Sequence, residues 1–257
     1  MFKIASWNVN SLRVRLPQVL TWLQKEKPSV LALQETKLID DDFPIADIES
    51  AGYQVKFSGQ KTYNGVAILS RHDMSEVVTD IPDFLDRQRR VIGATIDNIR
   101  VLNLYVPNGE SVGSDKYQYK LSWLQKLISF LKSELKKYPN VIVLGDFNIA
   151  PANIDVHAPA VWEGKVLFSE LERKAFAEIL LTGFEDCFRL LSPDVKEFSW
   201  WDYRLNAFKR NMGLRIDHVL ASQPLSRQCK ACYIDKTPRS VERPSDHAPV
   251  VAEFKIS

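Results

Sequence analysis

The sequence predicts an α/β protein in which two mixed β-sheets pack face to face with helices outside. Three observations predict it. Short apolar, β-branched segments alternate with amphipathic helical segments along the whole chain. At least one neighbouring pair of strands is joined by a tight Asn/Asp turn, which a purely parallel sheet does not contain. The third is VIVLGDFN at 141–148, the stretch around which the rest is arranged. Its VIVL run reads as a buried strand, and Gly145 breaks the pattern. Asp146 and Asn148 then follow two apart, so an extended backbone presents both on one side. A carboxylate and a carboxamide at the mouth of a buried strand is where α/β proteins place chemistry.

In chain order, residues 3–7 read as a first strand that delivers Asn8 and Asn10. Residues 16–26 carry Leu16, Val19, Leu20 and Leu23 at helical spacing, and Pro28 stops that helix. Residues 30–33 form a short buried strand ending in Gln34 and Glu35. The acidic run 40–42 reads as a solvated loop. Residues 53–57 and 65–69 are strands around SGQKTYNG, and 91–96 and 99–106 form a hairpin turning at Asp97-Asn98. The second hairpin strand runs into Tyr105, Pro107, Asn108 and Gly109. Residues 115–138 contain a long helix with Trp123, Leu124, Leu127, Ile128 and Leu131 on its inner face.

Beyond Asn148, residues 149–167 read as an irregular loop of the kind that is often functional. Ser169 with Glu172 matches a capping box, so a helix is expected to about Thr182, with Gly183 as its stop. FSWWDYR at 198–204 is an aromatic strand or loop. Residues 213–221 read as a strand carrying Arg215, Asp217 and His218. Ser245, Asp246 and His247 precede a last strand at 250–254.

The 257 residues contain no Pro/Gly/Ser-rich linker, no low-complexity run and no obvious repeat, so a single domain over 1–257 is expected. Composition is ordinary for a soluble globular protein, at 45% hydrophobic and 26% charged residues. A formal net charge of +2 means that any nucleic-acid face must be local. Three cysteines are an odd count and argue against a disulfide framework. Cys229 and Cys232 form a CxxC with no second pair, and a zinc site needs about four ligands, so it reads as incidental. No signal-peptide pattern and no membrane-length apolar run is present, so a cytoplasmic location is expected.

The polar residues at predicted strand ends are Asn8, Asn10, Glu35, Tyr105, Asp146, Asn148, Asp217, Asp246 and His247. Singly, each has an ordinary explanation: turn Asn, solvated Glu, paired Tyr hydroxyl, Asp217 bridging Arg215 or Arg243, or a satisfied core His. Five strand ends bearing such residues point instead to one shared site. Acids and carboxamides dominate, which suits Mg²⁺ or Mn²⁺ rather than zinc. A His–carboxylate pair can stabilise charge on a phosphorane-like transition state, and an acid near a metal can orient or deprotonate water. Neither a GxSxG elbow nor a Walker A loop nor a GxGxxG is present. Metal-assisted hydrolysis of a phosphate ester is the chemistry these parts describe.

As an ordered set, several segments resemble the exonuclease III family of apurinic/apyrimidinic (AP) endonucleases. They are WNVNSLRVR, LQETK, YNGVAILSR, YVPNG, LGDFNIAP, FSWWDYR, GLRIDHVLAS and ERPSDHAPV. The resemblance implies a four-layer α/β sandwich and cleavage of DNA 5′ of an abasic site or trimming of 3′ ends. It implies Glu35 as the principal Mg²⁺ ligand, with Asp246 and Asn10 lining the metal site. Asp146 orients or activates the attacking water beside Asn148. Asn8 and Tyr105 hold the scissile phosphate, and His247, oriented by Asp217, stabilises the phosphoryl oxygen. Trp200, Leu214 and Ile216 occupy the family's abasic-sugar pocket, where apolar side chains replace the missing base. One of Trp200 and Trp201 is expected to be core.

Asn108 and the cations Arg13, Lys61, Lys209, Arg210 and Lys165 are candidate DNA contacts. The run Arg87, Arg89, Arg90 is expected to be a solvated loop or strand edge. Asn10 stands where some family members have Asp, and the segment 154–167, with HAPAVWEGK, departs from the family pattern. Double-stranded DNA with abasic sites or 3′ ends, bound by a monomer away from membranes, is the expected partner. The rivals are an inositol-phosphate or sphingomyelin phosphodiesterase of the same superfamily, and a non-catalytic DNA-binding module. WNVNSLR, YVPNG and the tryptophan-rich segment favour DNA.

Overall fold

The computed structural model describes residues 1–256. The strands are β1 (Phe2–Asn8), β2 (Val30–Gln34), β3 (Gln54–Ser58), β4 (Val66–Ser70), β5 (Ser75–Val78), β6 (Val91–Ile96), β7 (Ile99–Tyr105), β8 (Val141–Asp146), β9 (Phe184–Asp186), β10 (Asp217–Ser222), β11 (Cys229–Ile234) and β12 (Val250–Phe254). The helices are α1 (Leu12–Glu26), α2 (Ile45–Ser50), α3 (Asp115–Lys137), α4 (Pro159–Trp162), α5 (Glu170–Leu181), α6 (Cys187–Leu191) and α7 (Gln223–Ser226).

Two six-stranded sheets result, in the orders β11-β12-β1-β2-β4-β3 and β5-β6-β7-β8-β10-β9. Each sheet holds one parallel pair, β1/β2 and β7/β8, and all their other pairings are antiparallel. The sheets are therefore mixed, as expected. Alternation along the strands divides the apolar residues between two faces. Ile4, Val30, Ile68, Val101, Ile142 and Val219 meet between the sheets. Trp7, Leu31 and Leu33 pack outward against Val19, Trp22 and Leu23 of α1. Leu102, Val141 and Val143 pack outward against Trp123, Leu127 and Leu131 of α3 and Phe176 of α5. The layers run helix, sheet, sheet, helix.

Several boundaries differ from expectation. α1 begins at Leu12, not at residue 16, and carries Pro17 inside it. The strand expected over 213–221 joins the ladder only at Asp217, because Leu214 instead bridges Trp200 and Val156. The acidic run Asp40–Asp42 is a 3₁₀ turn, and Asp42 pairs with Arg13. β5, β9 and β11 have no clear sequence signal. β5 and β9 are only four and three residues long, and four of the six residues of β11 are not fully buried. The capping box at Ser169 and Glu172 is present. Cys187, Cys229 and Cys232 are free thiols packed in the inter-sheet core.

Candidate active site

The same alternation that sorts the core carries polar side chains to one end of the inter-sheet space. On β1, Ser6 and Asn8 follow Ile4 at steps of two. On β8, Asp146 follows Ile142 and Leu144, and on β10, Asp217 precedes Val219 and Ala221. Register aligns them: Tyr105 lies opposite Asp146, and Asp146 opposite Asp217. In the facing sheet Asn8 lies opposite Gln34. Gly145 permits the tight β7–β8 pairing: at φ 146° an added Cβ would overlap the carbonyl oxygen of Leu104. Three site residues, Asn10, Glu35 and Asn148, adopt left-handed backbone at φ 44°, 50° and 50°. Asn tolerates that region, whereas Glu pays strain there, as functional residues commonly do.

One hydrogen-bonded cluster joins the sheets. Asn8 donates from Nδ2 to Glu35 Oε1 and to Asp146 Oδ2, both at 2.9 Å. Asp146 also accepts from the Asn148 backbone N–H at 2.9 Å and from Asn148 Nδ2 at 3.3 Å. His247 Nδ1 lies 2.9 Å from Asp217 Oδ2, and its Nε2 lies 3.7 Å from Asp146 Oδ2. Ser199 donates its hydroxyl to the same Asp217 oxygen at 2.7 Å. Beside this cluster, Asp246 accepts from Asn10 Nδ2 at 3.0 Å and Trp200 Nε1 at 2.9 Å.

The charges follow from burial and proximity. Burial pushes the Asp146 carboxyl up from its ordinary range, Asp217 adds to the rise, and His247 and Asn8 oppose it. Burial works against a charged His247, but the Asp217 and Asp146 carboxylates outweigh it and raise the ring to about 10. This favours the imidazolium, whose Nδ1 donates to Asp217 and whose Nε2 faces Asp146 Oδ2 at 3.7 Å. Burial, with Glu35 and Asp146 nearby, holds the Tyr105 phenol well above its ordinary pKa, so it remains a donor. Asp246 is depressed despite its burial, through His247, Trp200 and Asn10.

Glu35, Asp146 and His247 each place one ligand atom within 4.8 Å of the others. The imidazolium is no donor to a metal, but the carboxylate oxygens of Glu35 and Asp146 suit a hard divalent cation. The Lys37 ammonium sits 2.9 Å from Glu35 Oε2 and 2.5 Å from Asn10 Oδ1, supplying positive charge at that position.

The structure therefore brings together Asn8, Glu35, Tyr105, Asp146, Asn148, Asp217 and His247, with Asn10, Asp246 and Trp200 alongside. Asn108 joins through a 3.2 Å bond from its Nδ2 to Asn148 Oδ1. Leu214 and Ile216 do not reach the surface: they are 0% and 1% exposed and form a floor with Val156 and Phe168 beneath Trp200. The open pocket beside Trp200, of about 510 Å³, is lined by His157, Trp162, Leu205 and Met212. A second groove of about 700 Å³ lies on the other side, between Tyr105, Asn108, Asn64, Arg90 and Lys116. Trp201 is the core tryptophan of its pair. Arg13, Lys61, Lys165, Lys209 and Arg210 are exposed.

Arg90 is not a solvated edge: it is buried, stacks 4.7 Å from the Tyr105 ring and donates to the Tyr105 carbonyl. Asp217 does not bridge Arg215, which pairs with Asp155 and Asp186 instead. Lys37, Ser199 and Arg90 escaped sequence reasoning. Lys37 alone had a signal, two residues from Glu35 on the same strand exit.

Comparison with known proteins gives this geometry its context. The profile described as "Endonuclease/Exonuclease/phosphatase family" matches residues 5–247. The chain is 38% identical to exodeoxyribonuclease III of Haemophilus influenzae, over 98% of this chain and all of that one. Among solved structures it resembles a Neisseria 3′ phosphatase, NExo, bound to product DNA hairpin. That match has TM-score 0.98 and 45% identity and covers both chains fully. It also resembles an AP endonuclease from Archaeoglobus fulgidus, with TM-score 0.96, 42% identity and full coverage of both chains. The acidic cluster and the family together point to a divalent metal. The chain belongs to the endonuclease/exonuclease/phosphatase family and, within it, to the exodeoxyribonuclease III-like DNA repair nucleases.

Proposed function

We propose that this protein, acting as a single-domain monomer, hydrolyses phosphodiester bonds of double-stranded DNA with Mg²⁺. On this reading it incises 5′ of abasic sites and trims 3′ ends. The supporting observation is the convergence of Glu35, Asp146 and the Asp217–His247 pair on one end of the inter-sheet space.

Glu35, with Asp246 and Asn10 nearby, would hold the metal, which would supply Lewis-acid stabilisation of charge on the phosphoryl oxygens. Asp146 is buried and raised in pKa, so it is suited to take a proton from the attacking water near neutral pH. Asn148 keeps that carboxylate oriented through its backbone and side-chain N–H groups. His247, held by Asp217, donates from Nε2 to the phosphoryl oxygen as charge builds there. Asn8 and Tyr105 donate to the same phosphate. Trp200 borders the pocket that takes the base-free sugar or the 3′-terminal group, over the Leu214–Ile216 floor. The groove beyond Tyr105 takes the flanking strand, with Asn108 at its edge and Lys61 close by in sequence. Arg13, Lys209 and Arg210 are exposed cations available to the DNA backbone.

The relatives' printed activities, 3′ phosphatase and AP endonuclease, both fit a site that hydrolyses a phosphate next to a pocket. A gel assay tests the reading: matched duplexes bearing an internal abasic analogue or a recessed 3′ end, with Mg²⁺ and with EDTA. Cleavage of at least one duplex that EDTA abolishes is expected. Metal-independent binding without cleavage overturns it, and turnover of inositol phosphates or sphingomyelin in place of DNA does so too.

A further inference from the structure

Lys120 is fully buried in α3, where a charged ammonium is costly unless every N–H finds an acceptor. Its three donors meet three acceptors: the carbonyl of Asn148 at 2.7 Å, the carbonyl of Asn108 at 3.0 Å and Glu172 Oε1 at 2.5 Å. Glu172, also fully buried, accepts in addition from the Leu167 and Ser169 N–H groups and the Ser169 hydroxyl. One ion pair thus ties together three backbone segments far apart in sequence: the loop after β7, the loop after β8, and the end of the 149–167 loop. The fit is close, since a Cβ added at Gly109 would meet Lys120 Cδ at 3.1 Å.

Stability alone is a poor reason for such a pair, because well-packed apolar replacements of buried ion pairs are often neutral or stabilising. What the pair supplies is position. It fixes the carbonyl of Asn148, a residue in left-handed backbone whose N–H and side chain both hold Asp146. It also fixes Asn108, whose Nδ2 donates to Asn148 Oδ1.

We propose that Lys120, locked by Glu172, is a positioning residue for catalysis: it sets the Asn108 and Asn148 loops so that Asn148 aims the Asp146 carboxylate. This rests on the assignment of Asp146 and Asn148 to the chemical step. α3 contains its own control. Near its other end Glu134 forms a second buried ion pair, with Arg100 at 2.6 Å, remote from the acidic cluster.

Lys120→Met alone would strand a buried carboxylate, so the test variant is Lys120→Met/Glu172→Gln, compared with Arg100→Met/Glu134→Gln and the unaltered protein. Thermal melting confirms that each is folded. Amide hydrogen exchange is followed on peptides spanning 146–150, and kcat and KM are measured on the cleaved duplex. The Lys120 variant is expected to exchange faster at 146–150 and to lose roughly 10- to 100-fold in kcat, the scale of a small misplacement at a reacting group, with KM within about threefold. The Arg100 variant is expected to change neither. Unchanged exchange in the Lys120 variant overturns the positioning role itself. Faster exchange with unchanged kcat overturns it from the other side, by removing Asn148 from the chemistry. Equal kcat losses in the two double variants would reduce Lys120 to a structural residue.

Discussion

Two neighbours on β10, Asp217 and His218, face opposite sides of the same sheet and enter two different buried clusters. Asp217 points between the sheets, to His247, Ser199 and, through His247, Asp146. His218 points outward, where it packs 4.7 Å from Phe176 and 5.3 Å from Phe147. Its Nε2 meets the Ile149 carbonyl at 2.9 Å, so that nitrogen carries the proton and Nδ1 accepts from Arg215 Nη1 at 3.0 Å. In the outer cluster each acid faces a guanidinium: Asp155 meets Arg189 and Arg215, and Asp186 meets Arg215. Asp186 is depressed far below the ordinary carboxylate range, its burial outweighed by Arg215 and His218. The inner cluster is different. Its acids converge on one another, Asp146 is raised, and Asp217 Oδ1 has no partner. Composition alone does not separate a working His–Asp site from a structural one. What separates them is that the outer acids are each held by guanidinium groups, whereas Asp146 and Asp217 share the single His247 imidazolium at one end of the inter-sheet space.

The largest expected effect lies in the inner cluster. Asp146→Asn keeps the shape and the Asn8 contact but removes the proton acceptor, so single-turnover cleavage should fall by at least ~10² with melting unchanged. Near-normal cleavage would show the two clusters to be equivalent in kind. Next comes the outer cluster. Arg215→Met strands the buried Asp186 carboxylate and leaves Asp155 with Arg189 alone, and should cost about 3–5 kcal/mol in urea unfolding, while the folded enzyme keeps its rate within about threefold. Glu35→Gln should raise the Mg²⁺ concentration for half-maximal activity by at least ~10-fold, read from a metal titration. An unchanged titration would place the metal elsewhere.

The smallest effect is a pH dependence. The folded pKa of Asp186 is depressed, so its stabilisation is complete above the unfolded carboxylate pKa and is lost as pH falls toward the folded value. Stability should therefore decline as pH drops below about 4, the ordinary range for Asp. Asp186→Asn should flatten that decline, seen as a shallower fall of urea midpoint with pH.

Much of this was legible in the sequence because the information is local and periodic. Steps of two along β1, β8 and β10 specify which polar residues share the core face, and the hairpin turn and capping box have short-range chemistry. Three kinds of information were not local. Arg215 could have paired with Asp217 on sequence grounds, but the loop carrying Asp155 folds back to claim it. Leu214 and Ile216, expected to line the sugar pocket, lie under Trp200 because 213–216 runs outside the ladder, bridged at Leu214 to Trp200 and Val156. Arg90 reads as one charge in a basic run, and only the fold stacks it on Tyr105.

The contrast comes down to two histidines. Single-turnover cleavage of a duplex by His247→Ala and by His218→Ala, at saturating Mg²⁺ and with folding checked by circular dichroism, puts both in one experiment. A loss of at least ~10² is expected for His247→Ala, and a rate within a few-fold of the unaltered protein for His218→Ala, which should instead melt earlier. Equal losses, or a larger loss for His218→Ala, would contradict that contrast.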